Sequence, residues 1–235
     1  MSDGAAVDTL HWDSEFWGVH AARVFVTTSD DLRNATQECS RRGVQWASLL
    51  LAASDVTTIN AAVRHGFDIV DYRIAFSSKP IQTVAPFELA NPSDEEAMAE
   101  IASTAFPMSR FAVDSRLDAE RCSAFYETWV RNSFNGQMAD ATVVSRFEGS
   151  LDGFITMRCR QDGSGALPLV AVRADRRGKG VAKRLLDGAM GWMICQSAES
   201  VEVVTQVSNT SAMRLYEAGG FQVRECDVWL HRWFD

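Results

Sequence analysis

The chain has 235 residues, of which 46% are hydrophobic and 23% charged, so disorder along its whole length is excluded. A formal net charge of -8 disfavours binding to nucleic-acid phosphates or anionic membranes, and no apolar run approaches the roughly 18 residues of a transmembrane helix. The five cysteines form no CxxC pair, the four histidines lack metal-ligand spacing, and no secretion signal precedes them. These features predict a reduced, metal-free, cytoplasmic protein.

The first block of the chain, residues 1–80, predicts a small α/β domain. Trp46–Ala52 is a continuous apolar run of strand length. A short capped helix is predicted over Thr57–His65, and the alternation in Ile69–Phe76 is typical of a half-buried strand. Pro80 and Pro86, among the small polar residues of Ser77–Phe87, predict an extended connector, and the linker between the blocks is assigned to 81–90.

The second block, residues 91–235, predicts a more regular domain, in which a helical period of apolar residues gives way to strand-like alternation. Its predicted elements are helices at Asn91–Ala105, Asp118–Phe134 and from the Gly178 region through Gln196, strands at Ala141–Phe147, Phe154–Arg160, Leu167–Val172 and Val201–Val207, a helix at Asn209–Ala218 and a strand at Phe221–Leu230, with 148–153 as a hairpin loop. This order predicts the α+β class, with a mixed central sheet flanked by helices.

The two blocks show a weak internal repeat. Gly66-Phe67 and Gly220-Phe221 each follow a predicted helix, and their offset is 221 − 67 = 154 residues. At this offset both copies have the order strand, polar cap, helix, Gly-Phe, strand. Coincidence is the competing interpretation, because Gly-Phe is common after helices. If the repeat is real, the first copy is a degenerate half.

A basic, glycine-containing loop is the sharpest chemical signal. Arg173–Arg184 holds six basic residues and one acidic residue, a local charge of 6 − 1 = +5. A strand ends there, Gly178 and Gly180 permit a tight turn, and a helix begins, so unpaired N–H groups can bind a pyrophosphate. The alternative to a pyrophosphate site is that this segment is only the basic, solvent-exposed start of a helix. Neither a Walker loop nor a GxGxxG fingerprint is present.

A second motif follows the strand at Val201–Val207. Asn209 can cap the next helix, and Tyr216 lies seven residues later, two turns on, so both can face one side. A tyrosine on this helix can donate a hydrogen bond into a cleft. The alternative is that Tyr216 is an aromatic residue of the hydrophobic core.

Together these residues resemble the GNAT superfamily of acyl-CoA-dependent N-acyltransferases, over roughly Phe87–Leu230. Arg177–Ala182 matches the family's pyrophosphate loop, and Asn209, Tyr216 and Gly220-Phe221 match its second motif. The resemblance implies acetyl-CoA as co-substrate, no metal, and Tyr216 as the catalytic residue. The cofactor-binding residues that it implies are Leu169, Val170, Ala171, Val172, Arg177, Gly178, Lys179, Gly180, Val181, Ala182, Lys183 and Asn209.

A further likeness is to the TDP-fucosamine acetyltransferase group of this superfamily. Leu10–Val19, Phe106–Phe111, Phe125–Trp129 and Val204–Thr210 are similar to segments of that group. The resemblance implies a half-GNAT-like domain at 1–80, a linker at 81–90 and a catalytic domain at 91–235. It also implies a nucleotide-linked amino sugar as acceptor.

The acceptor site is predicted less sharply than the donor site. Arg110 can pair with a nucleotide diphosphate, and Phe111 or Tyr126 can stack on a base or sugar; core packing of the rings is the alternative. Another small amine as substrate, and a non-catalytic acyl-CoA sensor, are the competing functions. Superfamily members are often dimers, so a homodimer is a further expectation.

Acyl transfer also needs a polarised thioester and a deprotonated amine. A backbone N–H at Val170 or Val172 is the predicted carbonyl donor, and Tyr216 is predicted to act on the leaving sulfur. The base stays open between His11, Glu127, Asp140 and a water chain.

Overall fold

The computed structural model describes residues 5–80 and 85–234, which divide into two compact units. The first unit comprises Met1–Arg73, Ser109–Leu117 and Glu225–Asp235. The second unit comprises Ile74–Met108 and Asp118–Arg224. No helix in the described ranges is long and apolar enough to cross a membrane, and no group of acidic, histidine or cysteine side chains there could hold a metal.

In the first unit, the described strands follow the order β1-β2-β3-β11. β1 is antiparallel to β2, β2 is parallel to β3, and β3 is antiparallel to β11. Apolar side chains of these strands and of two helices form one core. The elements are β1 (Ala5–Thr9), α1 (His11–Trp17), β2 (Ala21–Val26), α2 (Asp31–Arg41), β3 (Trp46–Ala52), α3 (Val56–Arg64), the start of β4 (Asp68–Ser78), α5 (Arg110–Val113) and most of β11 (Gln222–Trp233).

The second unit contains the strand order β10-β8-β7-β6-β5, with β9 paired to β7 off this path. β8 and β10 are parallel, and the pairs β5/β6, β6/β7, β7/β8 and β7/β9 are antiparallel. The elements are β5 (Glu88–Leu89), α4 (Glu95–Ala105), α6 (Ala119–Phe134), β6 (Ala141–Phe147), β7 (Ser150–Cys159), β8 (Ser164–Leu167), β9 (Val170–Val172), α7 (Val181–Cys195), β10 (Ser200–Gln206) and α8 (Thr210–Ala218). The predicted mixed sheet with helices is confirmed.

Glycines allow α7 to lie close to the sheet of the second unit. A Cβ on Gly153 of β7 would meet the Ala171 carbonyl oxygen at 2.8 Å and the Leu185 side chain at 2.9 Å. A Cβ atom does not approach other heavy atoms to within 3.0 Å, so only glycine fits at this position. The fully buried Leu185 and Val181 can therefore pack directly against β7 and β9.

Most predicted elements are present, and two boundaries were wrong. The predicted loop 148–153 is only a two-residue turn, because Glu148 and Gly149 both have positive φ, at 51° and 81°, as a tight hairpin requires. The predicted strand Leu167–Val172 is two strands, because it is interrupted at Pro168, which has no N–H to donate. The elements that were not individually predicted include α5 and the two-residue β5 as well as β1, α1, β2 and α2. Part of the predicted linker, residues 81–84, lies outside the described residues.

The predicted domain boundaries differ from the compact units in three places, the first being the division after Arg73 rather than after residue 80. The first unit includes Ser109–Leu117 and the last part of β11, because β11 pairs with β3 from Asp227 to Trp233. The element bounds nevertheless follow the offset of 154 residues. β3, α3 and β4 begin at 46, 56 and 68, and β10, α8 and β11 begin at 200, 210 and 222. The domain assignment itself stays a prediction.

Candidate acyl-transfer site

A break between two strands opens one side of β9. β8 pairs with β10 from Ser164 to Leu167, but β9 pairs only with β7 among the described strands. Thr156 of β7 stabilises the break: its Oγ1 accepts the Leu169 N–H at 2.9 Å, and its own N–H donates to the Leu169 carbonyl at 3.0 Å. The edge of β9 that faces away from β7 is therefore available to an added ligand strand.

The register of β9 fixes which of its N–H groups point to that open edge. Opposed residues in an antiparallel ladder alternate between hydrogen-bonded and non-hydrogen-bonded pairs. Arg173 donates to the Asp152 carbonyl at 3.0 Å and Leu169 is bonded to Thr156, so these positions face β7. The intervening Val170 and Val172 lie opposite Ile155 and Gly153 as non-bonded pairs. Their N–H groups point away from β7, and either can polarise a thioester carbonyl.

The loop after β9 has the geometry of an anion site. Gly178 and Gly180 adopt left-handed φ values of 72° and 76°, which other residues rarely tolerate. Gly180 is the N-cap of α7 and no side chain caps it, so the first N–H groups, beginning at Val181, have no capping partner. Together with the helix dipole they favour a negatively charged group.

Basic side chains border this loop. Arg177 donates through Nε to the Val172 carbonyl at 3.2 Å, which ties the loop to the end of β9. Lys183 pairs with Asp187 one turn along α7 at 2.6 Å. Lys179 is exposed at the turn itself. Three cations of the predicted donor segment thus lie on the turn or within the first turn of α7.

The second motif places its two residues at opposite ends of α8. Asn209 caps the helix, because its Oδ1 accepts the Ala212 N–H at 3.2 Å. The cap uses only Oδ1, so the side-chain Nδ2 group of Asn209 can donate a hydrogen bond to a ligand. Tyr216 is 3% exposed, and its ring packs 5.7 Å from Phe76 and 6.0 Å from Phe221. Burial raises the pKa of Tyr216 above its ordinary value, so the phenol stays protonated.

The family model for the Acetyltransferase (GNAT) family matches residues 96–221, more than half of the chain. The chain belongs to this family. Like its members, the protein is an acetyl-CoA-dependent N-acetyltransferase.

Three known proteins are similar to this GNAT enzyme. The dTDP-fucosamine acetyltransferase of Escherichia coli O6:H1 is 26% identical over 97% of this chain and 98% of its own. The spore coat polysaccharide biosynthesis protein SpsD of Bacillus subtilis is 32% identical over 63% of this chain and 51% of its own. The crystal structure of a GCN5-related N-acetyltransferase from Sphaerobacter thermophilus superposes with a TM-score of 0.68 at 19% identity, covering 98% of this chain and 76% of that one.

The residues present fit acetyl-CoA. The uncapped N-terminus of α7 and the two left-handed glycines suit its diphosphate, and the unpaired edge of β9 suits its extended pantetheine arm. Apart from Asn209, which caps α8, the residues that the sequence predicted for the donor lie on one continuous segment, from Leu169 to Lys183. Thr156, which shapes the start of that segment, was missed because a lone threonine in a strand has no sequence signal.

The predicted acceptor residue Arg110 lies in a buried polar cluster of the first unit. Its Nη1 is 3.1 Å from Nε2 of His231, and Nδ1 of His231 is 2.7 Å from Oδ2 of Asp114. The indole N–H of Trp233 donates to the same oxygen at 3.1 Å. Burial lowers the pKa of His231 to about 4, so the ring is neutral, donates to Asp114 and accepts from Arg110.

A second guanidinium shares an aromatic surface with Arg110. The Cζ atoms of Arg110 and Arg23 lie 4.2 Å and 4.1 Å from the ring centroid of Trp229. Burial, with the charge of Arg110, lowers the pKa of Arg23 to about 10, and burial raises the pKa of nearby Asp13. Both guanidiniums therefore contact the same ring, and their charges partly offset the effect of burial on Asp13.

The two predicted stacking rings are largely covered. Phe111 is 5% exposed and stacks 5.7 Å from the ring of Trp17, in the first unit. Tyr126 is 9% exposed and stacks 4.3 Å from Phe106, in the second unit. Their roles in acceptor binding stay predictions, and the packing favours the alternative that they are core aromatics.

Proposed function

We propose that the enzyme transfers the acetyl group of acetyl-CoA to the amine of a nucleotide-linked amino-deoxy sugar by direct attack on the thioester. The observation that carries this proposal is the end-to-end similarity to a dTDP-fucosamine acetyltransferase, which covers 97% of this chain and 98% of the relative. Similarity of this extent includes the first unit, which supplies no residue to the acetyl-CoA segment. A conserved acceptor chemistry explains why that unit is shared.

In this proposal the donor is held by the chain's own backbone. The loop from Arg177 to Lys183 binds the diphosphate, and the open edge of β9 aligns the pantetheine as an added strand. The N–H of Val170 or Val172 donates to the thioester oxygen as negative charge develops there. Tyr216 donates a hydrogen bond to the leaving sulfur, and Asn209 donates to the pantetheine arm.

The acceptor side of the proposal rests on charge. Arg110 and Arg23 form a pair of guanidiniums on Trp229, and a nucleotide diphosphate is the anionic part of the proposed acceptor. His231 and Asp114 orient Arg110 in this arrangement. A cytoplasmic reaction and a homodimer both stay predictions, and sedimentation analysis can test the second.

The test is thiol release from acetyl-CoA with a panel of amines: dTDP- and UDP-linked 4-amino and 3-amino sugars, aminoglycosides, polyamines, amino acids and short peptides. Release with nucleotide amino sugars and not with the corresponding free amino sugars is expected. Arg110→Gln should raise the acceptor KM and leave the acetyl-CoA KM unchanged. Thiol release only with amines other than nucleotide sugars would refute the proposed acceptor. No thiol release with any amine, although acetyl-CoA binds, would favour a sensor.

A further inference from the structure

Asp152 of β7 is a fully buried carboxylate beneath the acetyl-CoA loop. It is 0% exposed, and neither of its oxygens forms a hydrogen bond in the part of the chain that the structure describes. Burying a charged carboxylate without hydrogen bonds costs free energy. Such a group is retained in a fold when other charges compensate it or when it has a function.

Two arginines from the two ends of the loop point toward this carboxylate. Nε of Arg176, which precedes the glycine turn, is 3.7 Å from Asp152 Oδ2. Nη2 of Arg184, in the first turns of α7, is 3.8 Å from the same oxygen. The guanidinium of Arg176 is also held 3.7 Å above the ring centroid of Phe147. Asp152 is therefore the common partner of residues that lie on either side of Gly178 and Gly180.

We propose that Asp152 is a positioning residue for the acetyl-CoA diphosphate. Its carboxylate holds Arg176 and Arg184 together, and this keeps the intervening loop, with its left-handed Gly178 and Gly180, in the conformation that presents its N–H groups. The inference rests on the acetyl-CoA assignment and is independent of the acceptor. It runs against simple electrostatics, because a negative charge near the loop would by itself weaken the binding of an anion.

The decisive measurement compares two acetyl donors with Asp152→Asn, which keeps the shape of the side chain and removes its charge. S-acetylpantetheine has the thioester and the pantetheine arm of acetyl-CoA but no diphosphate. We expect the KM for acetyl-CoA to rise about tenfold, as is common when the partner of a binding group is removed. The KM for S-acetylpantetheine and the kcat at saturation should stay within about twofold of the wild-type values.

Asp175→Asn is the matched control. Asp175 lies on the same loop segment, its side chain is 65% exposed, and it pairs with Arg173 at 2.7 Å rather than joining the two ends of the loop. The control removes the same charge near the same site. We expect the acetyl-CoA KM of Asp175→Asn to stay unchanged or to fall slightly.

Three results would overturn the proposal. A lower acetyl-CoA KM in Asp152→Asn would show that the carboxylate only repels the donor. Equal losses with both donors would show a general structural role, and an unchanged KM would show no role. If Asp152→Asn does not fold, Arg184→Lys serves instead, since that side chain is 56% exposed and lysine keeps the charge but loses the guanidinium fork. The same selective rise is expected there, and an unchanged acetyl-CoA KM would refute the proposal.

Discussion

Replacing Tyr216 with phenylalanine removes one hydroxyl and leaves the shape of the ring. The ring is held between Phe76 and Phe221 in the core of the second unit, so Tyr216→Phe should fold with nearly wild-type stability. Any loss of rate in this variant can then be assigned to the hydroxyl.

The expected size of that loss follows from the chemistry of the leaving group. With reference pKa values of about 10 for phenol and about 8.5 for a thiol, complete proton transfer to the thiolate is uphill by roughly 2 kcal/mol. Burial raises the pKa of Tyr216 further, which makes complete transfer still less favourable. A hydrogen bond to the developing thiolate is therefore the expected role. Such a bond to a charged group contributes about 1.5–3 kcal/mol, which corresponds to a decrease in kcat of about 10- to 150-fold.

The assay is steady-state thiol release with saturating acceptor, together with calorimetric titration of acetyl-CoA. The kcat should fall and the acetyl-CoA Kd should stay within about twofold, because the bond forms only as the sulfur leaves. The alkaline side of the kcat profile should show no loss from Tyr216 ionisation below about pH 10. Tyr72→Phe, which alters a half-exposed ring in the first unit, is the control. An equal kcat in Tyr216→Phe and Tyr72→Phe would remove Tyr216 from the mechanism.

Three further predictions concern the loop, the strand break and pH. Gly180→Ala forces alanine into a φ of 76°, so the free energy of unfolding should fall by about 1–2 kcal/mol and the acetyl-CoA KM should rise, with denaturant titration and kinetics as the measurements. Thr156→Val leaves the buried Leu169 N–H without its acceptor and should cost about 1–3 kcal/mol in urea unfolding, whereas Thr156→Ser should recover most of it; equal losses in both would contradict this. The pKa of His231 is about 4 in the folded protein and 6.5 in the unfolded chain, so the unfolded chain binds more protons between these two pH values. The unfolding free energy should therefore fall by up to about 3 kcal/mol as pH drops through this window, and His231→Gln should abolish that dependence.

The local geometry of the predicted donor segment could be predicted from the sequence because its parts are contiguous, whereas its binding role stays a prediction. A glycine pair with positive φ, a run of arginines and lysines, and the start of a helix all lie within Arg173–Arg184, so one local pattern carries the chemistry. The helix of Asn209 and Tyr216 was predictable for the same reason. The break at Pro168 was visible as a proline in a strand, but its consequence, an edge without a partner, depends on pairing that no local pattern specifies.

The remaining site features join residues that are far apart in the chain. His231 and Asp114 are 117 positions apart, and the contacts of Arg110 with His231 span 121. Asp152 is an acidic residue inside a predicted hairpin loop, and it becomes a buried partner of two arginines only because the turn is two residues long and the strand begins earlier. Long-range pairing and strand register set these contacts, and the sequence pattern around each residue is uninformative about both.

At the offset of 154 residues, the first copy of the repeat lacks features that the second copy would use to bind acetyl-CoA. β2, which precedes α2 as β9 precedes α7, pairs in parallel with β3 from Ala21 to Val24, so the β3 side of β2 is occupied. At α2, the helix that corresponds to α7, the carboxylate of Asp31 accepts the N–H groups of Thr27 and Thr28 at 3.0 Å and 2.8 Å, which places a negative charge where an anion would bind. Ala62 stands at the position of Tyr216, since 216 − 154 = 62. A chain with these differences should bind one acetyl-CoA, and a calorimetric stoichiometry of two would contradict the inference that the first copy is degenerate.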